Sequence, residues 1–403
     1  MKVMHPSHKI ALALTATILA AGGAQAYEVN LGKNLPPVDF HGFVSQGFLA
    51  STDYDYLGNT TQGSFNFTEV GLNLSVNPLP RTRIAVQGFD FTVGRVNEYE
   101  PFLDYALVEY TFNDYIGVRA GRIRRPGGFY NHIQDVDLAR TSVLLPQGIY
   151  DARWRDFSCS IDGGEFFGNL PLGKAGSLSY EVYAGLINMS DKGGVARGIQ
   201  NGLPPAPIGS FGGIDQCPIY GGQLWYNTPV DGLRLGLSGG YISDFGYTVT
   251  VNPPFGPGEI KTVSDIPYGQ VSLEYLWKSW TFQAEYFTYN VVGHKIIGGV
   301  DTGASPGVQT ESWYVSAAYR FNKWLEVGSY YNEYYGDTDQ TSNSTQYQKD
   351  VALSVRVDPK DWWVFKIEGH YITGTGLLND NQQSTPIDDR GWFMLAVKST
   401  FSF

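Results

Sequence analysis

Tyr347-Gln-Lys-Asp-Val-Ala-Leu-Ser-Val-Arg-Val357 is followed by Asp358-Pro359-Lys360-Asp361 and then by Trp362-Trp-Val-Phe-Lys-Ile-Glu-Gly-His-Tyr371. In the first run Val351, Leu353, Val355 and Val357 share one face, and Ala352, Ser354 and Arg356 share the other. In the second, Trp363, Phe365, Ile367 and Tyr371 oppose Lys366, Glu368 and His370. A side-chain period of two belongs to a β-strand, and the Asp-Pro-Lys-Asp between the runs is turn chemistry. The unit is therefore a hairpin with one apolar and one polar face. The same alternation marks Trp313 to Phe321, where Tyr314, Ser316, Ala318 and Arg320 form the polar side.

Working outward from this hairpin, sixteen such segments emerge. They lie near 38–50, 63–77, 82–92, 102–113, 115–124, 155–166, 177–188, 218–228, 233–244, 266–277, 279–290, 310–321, 323–334, 347–357, 362–372 and 390–403. Tight turns such as Asn77-Pro-Leu-Pro-Arg81, Asn113-Asp114, Pro229-Val-Asp-Gly232 and Asn322-Lys323 alternate with long polar connections, the longest being 125–154. Sixteen two-faced strands in series, without helices to cover an apolar face, are accommodated by a closed barrel in lipid, which leaves no open edge. The expected fold is all-β: a sixteen-stranded antiparallel transmembrane barrel with short turns at one end and long loops at the other.

Composition agrees. The chain has 403 residues, with 27 Tyr, 23 Phe, 9 Trp and 49 Gly, yet its mean hydropathy is only −0.19. Alternating apolar and polar positions average out in this way, and aromatic girdles at the two interfaces absorb the rings. Most of the aromatics are accordingly assigned to the outer face and strand ends, in preference to a solute path. Lys2 and Lys9 precede an apolar run from Ile10 to Ala21 and then Ala24-Gln25-Ala26, the pattern of a secretory signal peptide. Residues 1–26 are thus expected to be removed, leaving 27–403 as the barrel, exported through the periplasm. The net charge of −11 argues against nucleic acid as a partner. An oxidising compartment makes a Cys159–Cys217 disulfide the favoured expectation, with two inert thiols as the alternative.

An enzyme finds little support. His41, His132, His294 and His370 stand outside any motif, and no Gly-x-Ser-x-Gly elbow, phosphate-cradling loop or zinc-ligand spacing occurs. The Asp- and Asn-rich 337–343 segment lacks the spacing of an EF-hand. No catalytic residue, metal or cofactor is expected.

The final segment places Phe393, Leu395, Val397, Phe401 and Phe403 in one register. With the strand count and the loop alternation, the chain resembles the general porins of the Gram-negative outer membrane. The resemblance is one of architecture and spans nearly all of residues 27–403. It implies that the aromatic Phe403 is read by the barrel-assembly machinery, that the protein is a homotrimer, and that the loop after the fifth strand folds inward to narrow the pore. Residues 125–154 contain Val143, Leu144, Leu145 and Ile149, which suits a loop packed on an inner wall; an extracellular lid is the competing placement. Lumen charges near a constriction set selectivity. The candidates are Arg83, Arg119, Arg122, Arg124, Arg125, Arg356 and Lys366 on the wall, facing Asp135 and Asp137 of the loop. The resemblance implies a transverse field between the two sets. Guanidinium groups also suit anions, while Glu69, Glu109, Glu274, Glu285 and Glu326 pull the other way. The expected function is passive diffusion of small hydrophilic solutes and ions through a water-filled channel. The alternatives are a channel selective for anions such as phosphate or carboxylates, and a non-conducting adhesive or structural barrel.

Overall fold

The computed structural model describes residues 27–29, 32, 36–94, 100–378, 383 and 390–403. The expected signal segment, 1–26, lies outside them. Sixteen strands form the wall: β1 Val38–Ser51, β2 Phe67–Leu79, β3 Thr82–Val93, β4 Phe102–Asn113, β5 Ile116–Arg124, β6 Ser160–Pro171, β7 Ser177–Ile187, β8 Cys217–Asn227, β9 Leu233–Val251, β10 Gly258–Trp277, β11 Trp280–Ile297, β12 Val308–Arg320, β13 Leu325–Tyr335, β14 Tyr347–Lys360, β15 Trp363–Gly374 and β16 Trp392–Ser402. Each pairs antiparallel with its neighbours in sequence, and β16 pairs back onto β1, from Met394 opposite Ser51 to Ser402 opposite Phe43. The ring is closed, so no barrel strand has an unpaired edge.

Alternation decides what faces where. Across the β14–β15 hairpin, Arg356 lies opposite Lys366 and Val355 opposite Ile367. Ile367 is 44 % exposed on the outside and Lys366 only 1 % exposed within. The outer surface is a band of exposed Leu, Val, Ile and aromatic side chains, among them Leu74, Val108, Val182, Leu237, Val271, Leu353 and Leu395. Among the described residues no helix is long and apolar enough to cross a membrane. At the closing seam, Phe403 exchanges backbone hydrogen bonds with Gly42 (2.9 and 3.0 Å), and its ring lies 5.7 Å from that of Phe40.

Several boundaries differ from the sequence reading. The segment 155–166 begins its strand only at Ser160, because Ala152–Trp154 and Arg155–Ser158 wind into short helical turns. The Asp151 carboxylate accepts from the Arg153 backbone N–H at 2.9 Å, a cap that favours helix there. The connections 245–265 and 291–309 are largely strand, since β9, β10 and β11 run 18 to 20 residues. Gly209–Ile214 pairs with the end of β9, and Val300–Ala304 with the end of β11, raising this side of the rim. The connection 189–217 also holds a helix, α1, at Gly194–Asn201.

The expected disulfide is absent: Cys159 and Cys217 are both free thiols, both buried. Cys159 directly precedes β6, whereas Cys217 opens β8 opposite Ile187 of β7. A whole strand therefore separates them, roughly 10 Å at two inter-strand spacings, beyond the span a disulfide bridges.

Candidate functional site

The connection from β5 to β6 leaves the wall at Arg125 and folds into the barrel. Its apolar residues are buried there: Val143 and Leu144 pack with Phe89, Ile372 and Trp392, and Leu145 packs with Phe129, Tyr130, Tyr150 and Tyr314. The backbone of such a segment must find partners away from water, and the lumen wall supplies them. Val143 N and Leu144 N donate to the two oxygens of Glu368 at 2.9 and 2.8 Å. Lys366 Nζ donates to the carbonyls of Asp137 (2.7 Å) and Ser142 (3.0 Å). Arg356 donates to Leu138 O at 2.8 Å, Gly148 N donates to Asn332 Oδ1 at 3.1 Å, and Phe129 N donates to Glu285 Oε1 at 3.1 Å. These partners sit on β11, β13, β14 and β15. The loop thus reaches across the lumen from the wall that launches it.

Two acidic residues fix the loop to different parts of the wall. Asp135 accepts from Arg124 at 2.9 Å and from Gln87 Nε2 at 2.7 Å, and Arg124 also contacts Asp104. Asp137 lies among Arg140 (3.0 Å), Lys398 (2.8 Å) and Lys366 (3.6 Å), and accepts from Thr400 Oγ1 at 2.5 Å. Burial opposes the charge on Asp137, but Lys398, Lys366 and Arg140 outweigh it and hold the carboxyl well below the usual carboxylate range. Asp135 follows the same logic: burial raises it, and Arg124 and Arg155 bring it below the ordinary value. The loop acids are therefore in contact with the basic wall, each neutralised by it.

The candidate residues separate into groups. Arg124, Arg125, Arg356, Lys366, Asp135 and Asp137 meet at the loop. Arg119 sits nearer the short-turn end, bonded to Glu109 (2.6 Å) and Glu165 (2.7 Å), with Glu181 at 3.4 Å. Arg83 is exposed opposite Glu109, away from the loop. Arg122 pairs with Asp162 at 3.0 Å on the neighbouring strand. Asp162 faces Leu186, which is exposed on the outer surface, so Arg122 does not join Arg124 and Arg125. Arg125 donates from Nε to Ser158 O at 2.7 Å, with its guanidinium 5.1 Å from the centre of the Tyr268 ring.

Several docking groups were not singled out from sequence. Glu368 is fully buried and bound by His370 (3.0 Å) and Ser354 (2.5 Å) as well as by the loop. An acid on the lumen side of an otherwise regular strand was the available signal. Asp104 gave a misleading one, since alternation places it with Val108 and Tyr110 on the outside. A register shift at Gln87/Gly88 turns it inward, leaving it 1 % exposed, which is what a β-bulge does to a side chain.

The loop divides the interior. On the long-loop side is a cavity of about 650 Å3, bordered by Arg125, Tyr150, Phe245, Tyr268, Phe287 and Tyr289. On the short-turn side are two others, about 520 Å3 beside Phe129, Trp225 and Arg234, and about 300 Å3 beside Tyr130, Thr141 and Glu326. The aromatics of the first cavity are exceptions to the assignment of most rings to the outer face and strand ends.

With a sixteen-stranded closed ring and an inserted loop after β5, the architecture is determined. The chain has the porin fold. Solved structures with this fold include an outer-membrane-expressed OmpT of Vibrio cholerae (TM-score 0.57, 12 % identity, covering 94 % of this chain and 100 % of that one). A Salmonella typhi OmpF in complex with daunomycin aligns with a TM-score of 0.57 at 11 % identity, covering 94 % and 100 %. An anion-selective porin from Comamonas acidovorans aligns at 0.52 and 10 % identity, covering 91 % and 99 %. No family model and no curated protein matches the sequence. The porin fold is therefore shared at the level of backbone architecture, with the lumen chemistry belonging to this chain.

Proposed function

We propose that the protein is an outer-membrane channel for small hydrophilic solutes and ions, with the inserted loop as its constriction. The observation that carries this reading is the loop itself, bonded to wall residues on opposite sides of the lumen and bounded by cavities on both faces. A structural plug would serve equally as a barrier, but a plug has no need of cavities leading to it from each end. The exposed apolar band supports insertion in lipid, and the strand alternation supports a polar interior. Passage would be passive, filtered by width and by lumen charge. Arg124, Arg125, Arg356, Lys366, Asp135 and Asp137 are the residues assigned to that filter; Arg83, Arg119 and Arg122 are given no part in the narrowest zone. No enzymatic step is proposed. Export through the periplasm, insertion by the assembly machinery and a trimeric state complete the reading, the last supported by a trimer form of the Vibrio protein. Single-channel recording in a planar bilayer tests it. Steady conductance steps are expected from the refolded barrel, and a correctly folded barrel that remains silent in every recording overturns the proposal.

A further inference from the structure

Arg125 stands apart from the other cations of the loop. Arg124, Arg140 and Arg153 all meet carboxylates, as do Lys366 and Lys398. Arg125 is only 8 % exposed, and among the described residues it forms no ion pair. Its Nε is satisfied by Ser158 O, the neutral hydroxyls of Tyr183 and Tyr268 lie within its hydrogen-bonding reach, and the guanidinium stands over Tyr268 at the border of the 650 Å3 cavity. A buried cation without a counter-charge is costly unless something supplies one. The carboxylate at the cavity's edge does not, since Asp151 is held by Arg153 through contacts of 2.5–3.0 Å.

Most of the remaining wall is apolar and aromatic. Phe245, Tyr268, Phe287 and Tyr289 project from β9, β10 and β11, the strands that rise above the rim. The rings of Tyr268, Phe287 and Tyr289 form a run, with Phe287 5.6 Å from Tyr289 and 6.4 Å from Tyr268. Lys295 stands at the cavity's margin and carries a second positive charge. A cavity of this size accommodates a compact organic molecule, and a few polar groups in an apolar lining set its orientation.

We propose that this cavity is a binding site for amphipathic carboxylates, with the acid group paired to Arg125 and an aromatic or alicyclic body against the Phe245–Tyr289 wall. The inference deepens the channel reading and rests on it for its role, that of concentrating such a solute at the entrance before the constriction. A small hydrated anion would leave the aromatic wall uncovered, and a neutral ring would leave Arg125 unpaired.

The test uses the folded, detergent-solubilised protein and isothermal titration with 3-phenylpropionate, 3-phenylpropionamide and propionate. Saturable binding of 3-phenylpropionate is expected, with the amide and propionate each at least about tenfold weaker, the difference one lost charge-assisted contact makes. Arg125→Gln should weaken 3-phenylpropionate by a similar factor and leave the amide unchanged. Should that variant not fold, the three-ligand series on the unaltered protein still decides. Equal binding of acid and amide, or no saturable binding of the acid, overturns the proposal. Bilayer recording separates the two readings: a conducting barrel that does not bind retains the channel and loses this site, whereas a silent barrel that binds retains the site and loses the channel.

Discussion

Asp137 shows how one side chain holds the inserted loop in place. It sits within reach of Lys366, Lys398 and Arg140 while its own carbonyl accepts from Lys366. Because the folded carboxyl lies below its ordinary value, its stabilising contribution is fully present above the unfolded value near pH 4. It is lost only as the pH falls through the lower folded value. Loop docking should therefore persist in moderately acidic medium, and proteolysis of the loop should not rise between about pH 7 and pH 5 on account of this group. Asp137→Asn should remove the effect and cost about 3–5 kcal/mol, the scale for breaking a buried pair. Lys366 and Arg140 would lose their carboxylate, with Lys398 keeping Glu69, and the reversal potential should then move towards anion preference. A variant with unchanged potential and unchanged protease resistance would take Asp137 out of the constriction. The lumen faces of these lysines were legible from alternation around Ile367 and Val397. Lys366 was expected to face Asp137, but that Lys398 shares the same carboxylate was not legible, because more than two hundred residues separate the two in sequence.

At the scale of elements, the alternating strands and their short turns were legible almost throughout, since period-two polarity and turn residues are local signals. The failures were local too, and have local causes. A capped helical turn displaced the start of β6, and a bulge in the β3–β4 ladder inverted Asp104. The three strands β5, β6 and β7 also approach through glycine: Gly163 lies opposite both Gly121 and Gly185. A Cβ at Gly163 would stand 2.2 Å from Ala184 O and 2.6 Å from Gly185 Cα, so backbone, not a movable side chain, would have to yield. Gly163→Val should destabilise the barrel by about 1–3 kcal/mol, as overpacking does. The measurement is the fraction of refolded protein that migrates as compact barrel in unheated electrophoresis samples. A fraction equal to that of the unaltered chain would mean that the strands can part there without loss.

For the whole molecule, the two ends of the barrel make opposite predictions. The short-turn end carries Asp231 and the long-loop end carries Ser344. In a Cys159→Ser, Cys217→Ser background, a cysteine placed at 344 should react with a membrane-impermeant maleimide on intact Gram-negative cells, and one placed at 231 should not. The reverse labelling pattern would invert the orientation on which the entrance cavity depends. The sequence alone determined the barrel, because each strand's faces and each turn's chemistry are written in a few neighbouring residues and sixteen two-faced strands close without edges. Tertiary structure alone decided how the inserted loop docks, which acid meets which base, that the cysteines stand a strand apart, and that Arg125 faces an aromatic cavity without a carboxylate partner. Those are relations between distant segments, and they exist only once closure of the ring has fixed the distances across its lumen.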